Sequence, residues 1–463
     1  MPRRNLLLLA IALLSLAAPA QAAQPREQCE LQFIDRATRT PISLVIASTT
    51  GSQTWVSDNA GRICFDAGEL FDREIFLALC SPGYEATADG FGIRGYRFTP
   101  QDGAKFTIEL TRTSLAERIG RMTGSGIYGE SQKLGHQLDW KESGVVGCDS
   151  VQLTTYQDKL RWIWGDTTLH HYPLGIFDAS SATTPILTSA DLAAPLKINY
   201  RYERDQQDRP RGTAPVAGSG PTWITGVASV KDRAGRERLI TSYTKIEPPL
   251  SVYEWGLVVW NDETQTFEKT LELWNKKSGE PLPKLLPDGH VSRYTDAEGK
   301  RWLLFGNPLP TLQVPDAFES YLDPKTWQEV HSPKSLTSVD GQRVELHSGS
   351  IAWHPWKKKW TTIFMERFGK PSAFGELWYA EADSPLGPWS TCVKILSHAN
   401  YTFYNPRVHG EFAAADASTL YFEATYTAEF ADKPTMTPRY NYNQLLYKLD
   451  LALPAIEKLK IAK

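Results

Sequence analysis

Five times along this chain two apolar, β-rich runs flank a short polar turn. That recurrence limits the folds open to the chain more than any other feature. The paired runs are 151–156 with 160–164, 223–230 with 238–243, 291–294 with 301–305, 349–353 with 360–365, and 407–412 with 419–425. They begin near 149, 223, 290, 347 and 406, a spacing of about 60 to 75 residues, and further runs at 256–261, 266–273 and 376–381 fill the intervals. One four-stranded unit per interval, repeated five times, is the signature of a five-bladed β-propeller. A pair of β-sandwiches or a β-helix would supply strands but not the even spacing.

The first unit reads GCDSVQLTTYQDKLRWIWGDTT at 147–168, with Gln157-Asp158 as a two-residue hairpin turn. Counting outward from that turn, Asp149 meets Asp166 at the open end. Directly opposed residues have Cα atoms about 4.5–5.5 Å apart. Two carboxylates that close repel, so one pKa should rise, and carboxylates with separated pKa values are what acid–base hydrolysis needs. The competing reading is one surface aspartate and one turn-capping aspartate.

In a propeller the leading strand of each blade starts on the rim where the second strand ends. The same counting puts Tyr243 and Lys245 near Thr222 and Trp223, His290 opposite Asn307, and His347 opposite Glu366 with Glu345 and Arg367 adjacent. It brings Tyr404 and Asn405 near 425–427. One rim thus collects ionisable and amide side chains from all five units, while the other carries ordinary turn residues. Glu411 and Glu423 fall mid-strand and read as inter-blade hydrogen-bonding groups. Tyr442 and Asn443 read as part of the closing strand.

Residues 1–23 have the form of a secretory signal: Arg3 and Arg4, an apolar run at 6–16, and Ala-Gln-Ala at 20–22. The expectation is a periplasmic or secreted protein with its mature end near Ala23. No later run is long enough for a transmembrane span. A net charge of −3 implies no basic face and no nucleic-acid partner. Residues 24–112 carry short alternating runs at 30–34, 42–47, 62–65, 74–79 and 105–110, separated by turn signals, and read as a small β-sandwich. A linker at 113–140 follows, in which Ser114 and Glu117 fit a capping box opening a helix over 115–122. The propeller then takes 141–455, and the whole chain is expected to be all-β and monomeric. Disulfides are expected among Cys29, Cys64 and Cys80, with pairing open, while Cys148 reads as a small buried residue and Cys392 is the fifth cysteine. No zinc-type spacing occurs.

SDNAGRICFD at 57–66 and IFLALCSPGYE at 75–85 resemble the prealbumin-like, carboxypeptidase-regulatory-like sandwich modules. LWYAEADSPLGPW at 377–389 resembles a strand and turn of the five-bladed arabinanase/xylosidase glycoside hydrolases, and CDS with WGDT at 148–150 and 164–167 resembles the aspartates of the endo-D-arabinanase group. The resemblance implies Asp149 as general base or nucleophile, Asp166 as its partner, and Glu366 as the acid. It implies His347 and Arg367 as groups that tune the acid or bind hydroxyls, and His290, Asn307, Asn405 and Lys245 as subsite residues. Trp164, Trp223 and Trp255 are either sugar-stacking or blade-core residues. No cofactor is implied beyond a structural Ca²⁺ in the channel, by analogy.

The function expected is therefore hydrolysis of an oligo- or polysaccharide by paired carboxylates on one rim. The alternative is a carbohydrate-binding or adhesion propeller without catalysis. Carboxyl groups about 5–5.5 Å apart would give retention of configuration and about 6.5–9.5 Å inversion.

Overall fold

The computed structural model describes residues 27–431 and 435–461. The expected signal sequence lies outside the described residues. Among the described residues strands dominate, and helices are limited to short turns such as Gly129–Lys133 and Phe318–Leu322.

Two four-stranded sheets come first. One orders Arg62–Phe65, Cys29–Asp35, Lys105–Arg112 and Tyr84–Glu85; the other orders Thr54–Val56, Ile46–Thr49, Ile75–Cys80 and Gly95–Phe98. Leu31, Phe33, Ile63, Phe65, Leu77 and Ile108 meet in one core between them, the outcome of period-2 alternation. The run expected at 42–47 forms a strand only from Ile46.

All five cysteines are thiols. Cys29 pairs with Phe65 and Glu30 with Cys64 across adjacent strands. Successive side chains alternate between faces, so Cys29 and Cys64 point to opposite sides of their sheet and the disulfide expected among the first three cysteines does not form. Cys80 lies in the other sheet.

The helix expected over 115–122 is instead a strand, Glu117–Arg121, paired antiparallel with Asn443–Asp450. The capping box is dismantled: the Ser114 hydroxyl donates to the Ala116 carbonyl (2.6 Å), and Glu117 sits 3.1 Å from the Lys448 ammonium. A helix that short is marginal by itself, and a ladder along a buried strand supersedes local propensity. All five residues of the strand are buried. Arg118 donates to the Ser43 and Pro82 carbonyls, which fastens the strand to the amino-terminal sheets.

A small three-stranded antiparallel sheet, Val145–Cys148 with Thr167–Leu169 and Tyr172–Ile176, follows, and so do five larger antiparallel meander sheets. The five are led by Gln152–Tyr156, Thr222–Lys231, His290–Thr295, Arg343–His354 and Thr402–Val408. The fourth gains an extra strand, Ser335–Thr337, and the fifth ends in the early strand Glu117–Arg121. Each leading strand touches the next in order. Hydrogen bonds also run from the fifth sheet to the first: Arg407 Nη2 donates to the Leu153 carbonyl (2.9 Å), and the Ser150 N–H donates to Thr425 Oγ1 (3.2 Å).

Hairpin ladders shift register between Thr225 and Ala228, between Leu346 and Gly349, and between Tyr404 and Arg407. Residue 290 faces Gly306 rather than Asn307. A bulge between Leu346 and Gly349 sets Leu346, not His347, opposite Glu366. A bulge adds a residue to one strand only, so counting from the turn fails beyond it. The strand expected over 407–412 ends at Val408, and Glu411 lies in the turn Gly410–Phe412.

Asn59 joins the first unit to the rest. Its side chain, 1% exposed, accepts from the Arg121 N–H (2.8 Å) and donates to the carbonyls of Arg121 (2.8 Å) and Leu196 (3.1 Å). Replacing it by alanine strands three buried polar groups, so Asn59→Ala should lower unfolding free energy by about 3 kcal/mol, measured as a drop in urea midpoint with unchanged slope.

Candidate active site

The hairpin that opens the first sheet turns at Gln157-Asp158, both left-handed (φ +51° and +56°), as a type I′ turn requires. Its ladder runs from Tyr156↔Lys159 to Gln152↔Ile163. It breaks at Ser150, itself left-handed (φ +49°), and resumes in the same register at Cys148↔Thr167. Asp149 and Asp166 therefore oppose each other in the gap, as turn counting placed them. The Gly165 N–H donates to the Asp149 carbonyl (2.9 Å), and a Cβ on Gly165 would come within 2.3 Å of Asp149 Oδ1. Only glycine leaves that carboxylate its position.

The two carboxylates are held from opposite sides. The Tyr404 hydroxyl, from the fifth sheet, donates to Asp149 Oδ2. Trp223 Nε1, from the second, donates to Asp166 Oδ1 at 2.9 Å. Asn405 Nδ2 donates to Ser150 Oγ (2.5 Å) and so holds the left-handed residue between them. Asp149 Oδ1 is buried without a hydrogen-bond partner.

Burial dominates the electrostatics. It raises the Asp149 pKa to about 6, with the nearby Glu429 carboxylate adding to the rise and the Tyr404 and Tyr442 hydroxyls opposing it. Asp166 rises to about 7 through burial and then the charge of Asp149, opposed by the Trp223 indole. Asp178 rises to about 7, again chiefly by burial, and burial also raises Glu429. Four carboxyl groups thus share one region in which the charged form is disfavoured, an arrangement concentrated at functional sites.

Several expected residues lie elsewhere. Lys245 is 2% exposed and donates to the carbonyls of Val216 (3.0 Å) and Gly220 (2.9 Å) and to Thr222 Oγ1 (3.2 Å). Its three protons are spent inside the fold, which overturns the subsite expectation. Glu366 accepts from Trp378 Nε1 (2.8 Å) within its own sheet, and the carboxylate beyond the pair that acts on both aspartates is Glu429. Among the described residues, no hydrogen bond joins Glu366 to either aspartate. His290 joins a different group, with Arg407, His409 and Glu411; burial and the Arg407 guanidinium push its pKa down to about 3, so it is neutral. Within that group Arg407 Nη2 lies 2.5 Å from Glu411 Oε1, and His409 Nε2 lies 3.0 Å from a fully buried Glu423. Asn307 is exposed, and its Oδ1 accepts from the Gly349 N–H (2.8 Å). Trp255 sits two strands out in the second sheet. Trp164, 1% exposed, packs on Trp162, Tyr200 and Tyr202 in the core.

His347 and Arg367 remain exposed. They stand at the far end of a row of rings reaching Asp149: Phe368, Phe374, Phe430 and Tyr404, with successive centroids 5.6–5.8 Å apart. The His347 ring packs on Phe374 at 4.8 Å. On the other flank Phe177, 44% exposed, packs edge-on against Trp223. Turn counting could have found Glu429, two residues past the strand Thr419–Thr427 at the same end. Asp178, on a loop, carries no such signal.

Among the described residues no group of three or more His, Cys, Asp or Glu side chains is arranged to hold a metal ion, and no helix is long and apolar enough to cross a membrane.

No family model matches this chain, and no curated protein matches it. Among solved structures it is similar to an exo-β-1,3-galactanase from Phanerochaete chrysosporium in complex with β-1,3-galactotriose, at 12% identity and TM-score 0.40 over 66% of this chain and 61% of that one. It is similar to an exo-1,5-α-L-arabinanase from a bovine ruminal metagenomic library, at 12% identity and TM-score 0.37 over 66% and 94%. An α-L-arabinofuranosidase from Clostridium thermocellum gives 13% identity and TM-score 0.37 over 64% and 88%. All three names are those of glycoside hydrolases. At such scores the likeness carries no argument, and function rests on this chain's own residues.

Because folding raises the pKa values of Asp149 and Asp166 from 3.8 to about 6 and 7, the native state binds more protons than the unfolded chain in that window. Stability therefore falls as pH rises through it. Asp149→Asn and Asp166→Asn keep an acceptor for Tyr404 or Trp223 but remove the buried charge. Each should melt a few degrees above wild type near about pH 8, with the difference fading toward about pH 4, followed by calorimetry.

Proposed function

We propose that this chain is a glycoside hydrolase that cleaves an oligo- or polysaccharide with the Asp149–Asp166 pair. The observation that carries the reading is the pair itself: two opposed, desolvated carboxyl groups with pKa values raised to about 6 and 7, on a rim flanked by exposed rings. Between those values one group is ionised and the other protonated, as glycosidic cleavage by an acid and a base or nucleophile demands. Asp166, the higher of the two, is assigned the proton-donating role and Asp149 the ionised one; they titrate as a coupled pair. Tyr404 and Trp223 are positioning residues that hold the carboxylates apart.

In this reading the five meander sheets are blades of a propeller, with the early strand Glu117–Arg121 completing the last blade. The leading-strand contacts and the hydrogen bonds from the fifth sheet to the first support it. The two amino-terminal sheets form an accessory sandwich, and the enzyme works as a secreted or periplasmic monomer. The alternative, a carbohydrate-binding propeller without catalysis, is favoured by the exposed rings alone, but a binder has no use for buried, mutually repelling carboxylates.

Asp149→Asn and Asp166→Asn should each lower reducing-sugar release from a responsive glycan by roughly 10²–10⁴-fold with little change in binding. Binding without hydrolysis by wild type and both variants would establish the binder instead. The pH dependence of kcat/KM should be bell-shaped, centred between about 6 and 7. Tyr404→Phe removes a hydrogen bond that lowers the Asp149 pKa and should move the acidic limb upward; Glu429→Gln should move both limbs downward.

A further inference from the structure

Arg367 is exposed, and its guanidinium has no carboxylate partner among the described residues, although many arginines of this chain form ion pairs. Its Cζ lies 5.4 Å from the centroid of Phe368. Phe368 is 67% exposed and left-handed (φ +56°), a conformation rare for a bulky side chain. An apolar ring held out in water by a strained backbone is a functional signal. The row that begins there runs through Phe374 and Phe430 to Tyr404, the donor to Asp149.

The two ends of this row are electrostatically opposite. At the pair, Asp149, Asp166, Asp178 and Glu429 have raised pKa values, and the Lys245 ammonium beside Asp178 is sealed within the fold. A negative group on a ligand would be repelled there. At the other end a free guanidinium backed by an aromatic face is suited to binding an oxyanion.

Resting on the reading of the pair as a glycosidase centre, we propose that the row is an extended subsite for an acidic polysaccharide. Its sugar rings stack on Phe430, Phe374 and Phe368, and Arg367 binds a carboxylate, sulfate or phosphate several units from the cleaved bond. The occupant follows from charge and shape together, since a neutral glycan would leave the guanidinium without a counter-ion.

The test is calorimetric binding to the Asp149→Asn protein, so that it does not depend on turnover. The probes are oligogalacturonate, a sulfated galactan oligomer and a phosphorylated mannan oligomer, each beside its uncharged counterpart. One acidic oligomer should bind at least tenfold tighter than its counterpart, and its identity distinguishes the oxyanion. Adding Arg367→Ala should weaken that oligomer roughly tenfold or more and leave the counterpart unchanged, with Arg367→Lys intermediate. Adding Phe368→Ala should weaken both. Equal affinity for acidic and neutral oligomers, an Arg367→Ala effect of the same size on both, or no binding of any sugar overturns the proposal; the last result would leave the row as a protein-docking face. Hydrolysis of neutral glycans by otherwise wild-type Arg367→Ala protein reports separately on the pair.

Discussion

The pairing of Glu117–Arg121 with Asn443–Asp450 holds the two ends of the large repeat together. Without it the fifth sheet would lose its outermost strand and expose a row of unpaired backbone groups. With it, the last sheet lies against the first, so that Ser150 reaches Thr425 and Asp149 reaches Tyr404. The same strand is fastened to the amino-terminal sheets through Arg118 and to Asn59 through Arg121. The first unit is thus bound into the architecture of the repeat. That strand thereby helps to set the geometry of the Asp149–Asp166 pair more than 20 residues downstream.

The pair is a store of unfavourable electrostatics that this framework sustains. Each aspartate is desolvated, each raises the other's energy when both are charged, and Glu429 adds to the repulsion. Tyrosine and tryptophan donors from two different sheets hold the carboxylates without neutralising them. A cation there would lower both pKa values. Lys245 is close enough to act on Asp178, yet its protons are committed to two carbonyls and a hydroxyl. The site pays in stability for groups able to exchange protons near neutral pH.

The contrast with the His290–Arg407–His409–Glu411 group is informative. There a guanidinium lies against Glu411 and holds its pKa well down, and His290 is kept neutral by burial and that same Arg407 guanidinium. Charges there are compensated. Around Asp149 they are not. The two groups use similar residue types and differ in whether opposite charges are paired.

Much of this was legible in order along the chain. Alternation located most strands, and the turn at Gln157-Asp158 put Asp149 opposite Asp166 because a two-residue hairpin leaves no freedom in register. The same counting failed at His347 and Glu366, where a bulge adds a residue that no local pattern announces. Serine and glutamate at 114 and 117 satisfy a helix start as written, but the partner that makes 117–121 a strand lies more than 300 residues away. For Lys245, Glu366 and His290 the sequence shows the end of the strand but not the surroundings, since register states where a side chain starts and not which carbonyl or indole it meets. The sequence by itself determined the repeat, the hairpin and the opposition of two aspartates, because these depend on local periodicity and turn geometry. Tertiary structure alone decided which donors hold those aspartates, that Glu429 joins them and that Arg367 stands free at the end of a row of rings, because burial and pairing arise only when distant strands pack.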